Sequence, residues 1–260
     1  MNSLETAKYW SENKFFDQKT RKATKRILKK NNHLEIEDHF GGFLNFGTGG
    51  LRGKMGIGTN RINIYTIQLV TEALSRIIEK NLVLTRKNKV VIGYDNRNNS
   101  FNFAKKTCEV LLAHNLNVYL FRNLSPTPLV SCEILRRKAL CGIIITASHN
   151  PPEYNGYKVY WETGGQIVPP IDQQIIDEVK KIKGLDKISK LSFSKAKNNK
   201  NFSWIDSESD QNYFDCRISH YCVNFSYCYD HDCIFPALGA IVAASITYSN
   251  FSREIGSDLK

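Results

Sequence analysis

Apolar positions recur at helical spacing from Ile64 to Lys80, where Ile67, Val70, Leu74 and Ile77 fall on one side. The β-branched run "KVVIGYD" (Lys89–Asp95) predicts a buried strand. Ser100 then serves as a plausible N-cap for a helix through His114. "NVYLF" (Asn117–Phe121) predicts a second strand, and "SPTP" (Ser125–Pro128) breaks the chain before a helix near Leu129–Arg137. "LCGIIIT" (Leu140–Thr146) and "YKVYW" (Tyr157–Trp161) predict two more strands, and "PPIDQQIIDEVKKI" (Pro169–Ile182) opens a helix with prolines at its start. This alternation is the signal of an α/β sheet covered by helices on both faces. The first thirty residues read as one amphipathic helix, and the glycine-rich stretch His39–Asn60 reads as a loop region.

The pattern weakens further along. Lys187–Lys200 is rich in Lys, Ser and Asn and reads as a linker. After Tyr213 no helical or strand period is convincing, and four of the seven cysteines crowd into Cys216–Cys233. The expected organisation is therefore an N-terminal amphipathic helix (1–34), an α/β domain (35–185), a linker leading into a second domain (186–215) and an atypical tail (216–260). No cysteine pair forms C-x-x-C and no secretory leader is recognised, so a reducing, cytoplasmic setting is expected. The longest apolar stretch, Cys233–Tyr248, holds a proline and falls short of a membrane span, so no membrane partner is expected.

The net charge of +11 admits an anionic ligand. Its densest run, Lys19–Lys30, sets Ala23, Ile27 and Leu28 on one helical face and the cations on the other, as a solvated helix would. No zinc-finger spacing, basic zipper or aromatic RNA-binding signature accompanies it, so a nucleic-acid partner is not expected.

The candidate chemistry begins at "IIITASHNPPEYNGYKVY" (Ile143–Tyr160), where a strand ends in Ser148-His149. Adjacent residues of an extended chain point to opposite sides, and no G-x-S-x-G elbow is present, so a serine–histidine hydrolase is disfavoured. A serine at a strand end can instead carry a phosphoryl group of about −1.5 to −2 charge. His149 and Lys158 could face it, with Gly156 keeping the approach open. The bland alternative is two turns, at Asn150-Pro151 and Asn155-Gly156, around an ordinary strand end. "FGTGGLRG" (Phe46–Gly53) offers backbone N–H groups at Thr48 and Gly49 and the fixed fork of Arg52, although a flexible loop would look the same. It is neither a Walker A loop nor a dinucleotide fingerprint. "GYDNRNNS" (Gly93–Ser100) adds Arg97 at another strand end, where a surface arginine near a helix cap is the alternative.

In this order, "FGTGGLRG", "GYDNRNNS" and "TASHNPPEYNGYKVY" resemble the first domain of the α-D-phosphohexomutases, over about Glu35–Ile182. "FGTGGLRGKMGIGTNRINIYT" looks most like the phosphoglucomutase branch. The resemblance implies a three-layer α/β/α domain built on a mixed sheet. It also implies an isomerase that interconverts hexose 1-phosphate and 6-phosphate through a bisphosphate, with glucose 1,6-bisphosphate as activator. Ser148 would be the phosphoserine, with Arg52 and Lys158 the cations beside it, of which Lys158 is the candidate base. His149 and Asn150 would orient the loop, while Thr48, Gly49, Arg52, Arg97 and Asn150 would line the phosphate site, Arg97 shaping it from the neighbouring strand. Mg²⁺ would bind the Ser148 phosphate together with three carboxylates of a D-G-D-x-D-R loop.

That loop is not found in the sequence. "DSESD" (Asp206–Asp210) lacks its glycine and arginine and is expected to be an exposed acidic turn. The family's sugar-recognition loop and terminal phosphate-binding domain are not found either. The expectation is a truncated gene product, its tail altered by a shifted reading frame, with little or no mutase turnover by itself. A non-catalytic sugar-phosphate-binding fragment that works with a separate chain is the alternative. Phosphomannomutase or phosphopentomutase specificity stays open.

Overall fold

The computed structural model describes residues 1–44, 46–47, 50–85, 87–182 and 184–213. The tail from 216 onward, with its cysteines, lies outside them. Three helices replace the single N-terminal one that was expected: α1 (Ser3–Glu12), α2 (Gln18–Lys29) and α3 (His33–Phe40). The cause is local. Asn2, Asp17 and Asn32 each accept backbone N–H groups as N-caps, so the polar punctuation restarts the helix twice. The helices close over Trp10, Phe16, Phe40 and Tyr65, with Trp10 and Phe16 stacked at 4.4 Å. On α2, Thr24 and Ile27 are buried and the Lys/Arg side points outward, so the cationic run is a solvated face as the spacing predicts.

The remaining elements follow as β1 (Phe46–Gly47), β2 (Gly50–Lys54), α4 (Ile64–Thr85), β3 (Lys89–Tyr94), α5 (Ser100–Ala113), β4 (Asn117–Phe121), α6 (Thr127–Arg137), β5 (Cys141–Ile145), β6 (Tyr154–Trp161), α7 (Ile171–Lys181), α8 (Phe193–Ala196) and β7 (Phe202–Ile205). The strands form one seven-stranded sheet in the order β1-β2-β6-β5-β3-β4-β7. Strands β5, β3, β4 and β7 are parallel, and β6, β2 and β1 add antiparallel. The sheet is mixed.

Register explains the core. Leu51, Tyr157, Ile145 and Tyr94 form one row across four strands, and Val159, Ile143, Ile92 and Leu120 form the next. All eight are buried on the face covered by α4, α5 and α7. On the opposite face Gly93 and Gly142 lie so close to α6 that a methyl group on either would press into Val130 or Ile134. The result is the expected α/β/α layering. Among the described residues no helix is long and apolar enough to cross a membrane.

Three local readings change. The glycine-rich stretch is not all loop, because β2 lies within it. Gly50 has φ +151°, and its missing side chain would strike the Tyr157 carbonyl at 2.2 Å, so glycine allows the strands to meet. Asn99, at φ 66°, occupies the cap position of α5, and Ser100 is the first helical residue. Within the stretch read as linker and second-domain start, β7 pairs in parallel with β4 as an edge of the same sheet.

A charged network ties α4 to α7 and to the end of α5. Glu178 receives Lys80 at 2.8 Å, and His114 lies between Glu72 (2.8 Å) and Glu79 (2.7 Å). Burial pushes the His114 imidazolium down, but the hydrogen bonds and charges of Glu72 and Glu79 outweigh it and raise its pKa above 6.5. A raised folded pKa stabilises the fold below the unfolded value, and that contribution is lost as pH climbs through the folded one. The urea midpoint is therefore expected to fall as pH rises from about 6.5, and His114→Gln should flatten that slope. An unchanged slope in the variant would sink this account.

Candidate functional site

Strands β3 and β5 run parallel and side by side, so their carboxyl ends, Asp95–Asn98 and Thr146–Pro152, meet at one edge of the sheet. They line an open cleft of about 530 Å³ that includes Arg97, Thr146, Ser148 and Asn150. Ser148 is exposed and held at φ 56°, in the left-handed region. Its N–H donates to the Thr146 hydroxyl at 3.0 Å, and the Asn150 N–H closes a turn onto the Ala147 carbonyl at 3.1 Å. Ser148 is not extended, so strand alternation does not separate it from His149. Ser148 Oγ and His149 Nδ1 lie 3.4 Å apart, longer than a strong hydrogen bond. Among the described residues no carboxylate orients the His149 ring, so a hydrolase triad is not assembled.

The neighbouring strands bring in the cations. Arg52 registers opposite Gly156, and Gly50 opposite Lys158, so the Arg52 and Lys158 side chains leave the same face of the sheet. They are diagonal neighbours, roughly 7–8 Å apart at the backbone. Thr146 continues this row, since its N–H donates to the Gly156 carbonyl. Arg52 is exposed and Lys158 half-buried. Burial first, and the Arg52 charge second, hold the Lys158 ammonium below the ordinary lysine range.

Arg97 turns its guanidinium toward the serine loop. Its guanidinium donates to the carbonyls of Ser148 (2.7 Å), Asn150 (2.6 Å), Pro151 (2.9 Å) and Tyr154 (3.2 Å). Its donors meet the serine loop itself. Asn150 contributes to the cleft, and its buried Oδ1 accepts no hydrogen bond among the described residues. Thr48 and Gly49 lie outside the described residues.

Residues 44–185 match the family profile described as phosphoglucomutase/phosphomannomutase, alpha/beta/alpha domain I. The chain belongs to this family. The phosphopentomutase of Homo sapiens is 38% identical over 179 residues, which are 66% of this chain and 29% of that protein. The glucose 1,6-bisphosphate synthase of Homo sapiens is 40% identical over 164 residues, or 61% of this chain and 26% of that protein. Among solved structures, a candidate phosphomannomutase from Thermus thermophilus superposes with a TM-score of 0.56 at 28% identity, covering 69% of this chain and 36% of that one. The chain thus spans less than a third of the length of these curated relatives.

The described part of this family domain does not fit a complete magnesium site. Among the described residues no three His, Cys, Asp or Glu side chains cluster to hold a metal. Asp95 is the carboxylate lining the cleft, and it is already engaged by Ser100 (2.6 Å), the Arg97 N–H (3.0 Å) and the Arg97 guanidinium (3.4 Å). Nor is 206–210 simply an exposed acidic turn. Asp206 pairs with Arg122, Ser209 is buried, and burial raises the Asp210 carboxyl.

Sequence reasoning missed Asp95, Ser100 and Asn155 at this site. Asn155-Gly156 is not a turn but part of β6. Asn155 is fully buried and donates to the Asn98 carbonyl (3.0 Å) and the Ser100 hydroxyl (2.9 Å). The available signal was the Asp95-x-Arg97 spacing, which suits an aspartate accepting the N–H two residues on.

Proposed function

We propose that this chain carries the phosphoserine domain of a phosphosugar mutase, with Ser148 as the phosphoryl carrier. The observation that carries the reading is the exposed, conformationally fixed Ser148 at the carboxyl edge of a family domain I whose next strands present Arg52 and Lys158. In the forward half-step a sugar hydroxyl oxygen attacks the phosphorus on Ser148. The Ser148 O–P bond breaks as the sugar O–P bond forms, and neutral Lys158 takes the hydroxyl proton. In the return half-step Ser148 Oγ accepts the phosphoryl group from the other end of the bisphosphate as that sugar O–P bond breaks, and the departing sugar oxygen takes back the proton held by the Lys158 ammonium. Arg52 stabilises charge on the transferring group, and His149 and Asn150 shape the loop. Catalysis of this kind rests on positioning and electrostatics.

The family resemblance adds Mg²⁺ as cofactor. The relatives' names support a phosphosugar as substrate class, and the phosphoglucomutase type is our narrower reading. A reducing, cytoplasmic setting is consistent with Cys108 and Cys141, which are thiols buried in the core.

The test is intact mass after incubating the 260-residue chain with glucose 1,6-bisphosphate. Wild type should gain one phosphoryl group, and Ser148→Ala none. Equal labelling of both, or of neither, would refute the assignment.

A further inference from the structure

We propose that Arg97, aligned by Asp95, is a positioning residue that pre-sets the Ser148 loop for phosphoryl transfer. The functional half of this inference rests on the phosphoserine reading of Ser148; its structural half does not. Arg97 comes from the end of β3, yet its guanidinium collects four carbonyls between Ser148 and Tyr154. Its side chain is only 13% exposed. A guanidinium presents five donors in a rigid fork, whereas a lysine presents three on one atom and cannot span such a set.

The fork is itself anchored. Asp95 accepts from the Arg97 backbone N–H and from Ser100, and Ser100 accepts from the fully buried Asn155 of β6. Ends of β3, α5 and β6 are thereby joined through Arg97 to the serine loop. This matters because a left-handed conformation is unfavourable for a non-glycine residue such as Ser148, and it persists only when its surroundings over-determine it. The carbonyl of Ser148 and that of Asn150 both end on the same Arg97 nitrogen, Nη2, which fixes the turn on either side of His149. A phosphate seeking Arg97 would have to displace these carbonyls. Arg97 therefore acts through the serine and not on the phosphate.

Two variants and two readouts test this. Amide hydrogen exchange of residues 146–152 is measured in wild type, Arg97→Lys and Arg97→Ala, alongside phosphoryl uptake from glucose 1,6-bisphosphate. In both variants the loop amides should exchange at least about tenfold faster while the β3 and β5 amides stay protected. Uptake should drop on the order of 100-fold. Guanidinium ion at a non-denaturing concentration should restore part of the uptake in Arg97→Ala but not in Arg97→Lys, where the ammonium fills its place. Unchanged loop exchange, or a loosened loop with wild-type uptake, overturns the proposal. Loss of protection across β3 and β5 in both variants also overturns it, since the role would then be general stability. If wild type takes up no phosphoryl group, the phosphoserine reading fails, and loop exchange alone decides the structural half.

Discussion

Lys158→Met is expected to slow phosphoryl exchange between Ser148 and a sugar bisphosphate by about 10²- to 10⁴-fold, the usual worth of a positioned general base, with the urea midpoint nearly unchanged. Methionine keeps most of the half-buried aliphatic stem and removes the amine. The pH dependence carries the sharper test. If Lys158 works as a base, its neutral form is the active one, so the wild-type rate should climb with pH through a value below the ordinary lysine pKa of 10.5. Burial is the larger cause of that depression and the Arg52 charge the smaller. Arg52→Met should therefore lower the rate and also move the alkaline limb to higher pH, by only part of the distance to an ordinary lysine. A rate that instead declines as Lys158 loses its proton would assign the residue to charge stabilisation and reject the base role.

The parts of the fold legible in the sequence are those that local chemistry decides. Val90–Ile92 and Ile143–Ile145 are β-branched or apolar on both faces, as strands between two helical layers must be. β4 begins and ends where its sequence pattern does. What local pattern could not show was pairing at a distance. β2 is glycine or cation at every position but Leu51, and it looks like a loop until β6 supplies its partner. β7 is four residues long, and its sheet partner β4 lies far earlier in the chain. The same limit governs the site. A strand end pointed to Ser148, the glycine-rich stretch to Arg52 and the strand after the serine loop to Lys158, and register places the two cations on one face. Which acceptors Arg97 would meet depended on a loop 51 residues away that bends through a left-handed serine. Strand alternation holds no sign of that bend.

Gly156→Ala is expected to damage both the fold and the site. A Cβ at Gly156 would lie 2.5 Å from the Thr146 carbonyl oxygen and 2.7 Å from that of Leu51. Both are backbone atoms, in strand pairings on either side of β6, so neither can swing away as a side chain end would. The methyl must push β5 and β2 apart at the level where Thr146, Gly156 and Arg52 share a row. Overpacking of this kind costs about 1–3 kcal/mol, and it acts on the two strands that deliver Ser148 and Arg52. The urea midpoint should drop accordingly, and phosphoryl uptake should fall even where the variant is still folded. Gly42→Ala is the control, since a Cβ there would meet nothing within 4 Å, and it should change stability by no more than about 0.5 kcal/mol. Equal stability of the two variants would show that the strands around Gly156 yield, and that glycine there is not what lets β2, β6 and β5 assemble the serine edge.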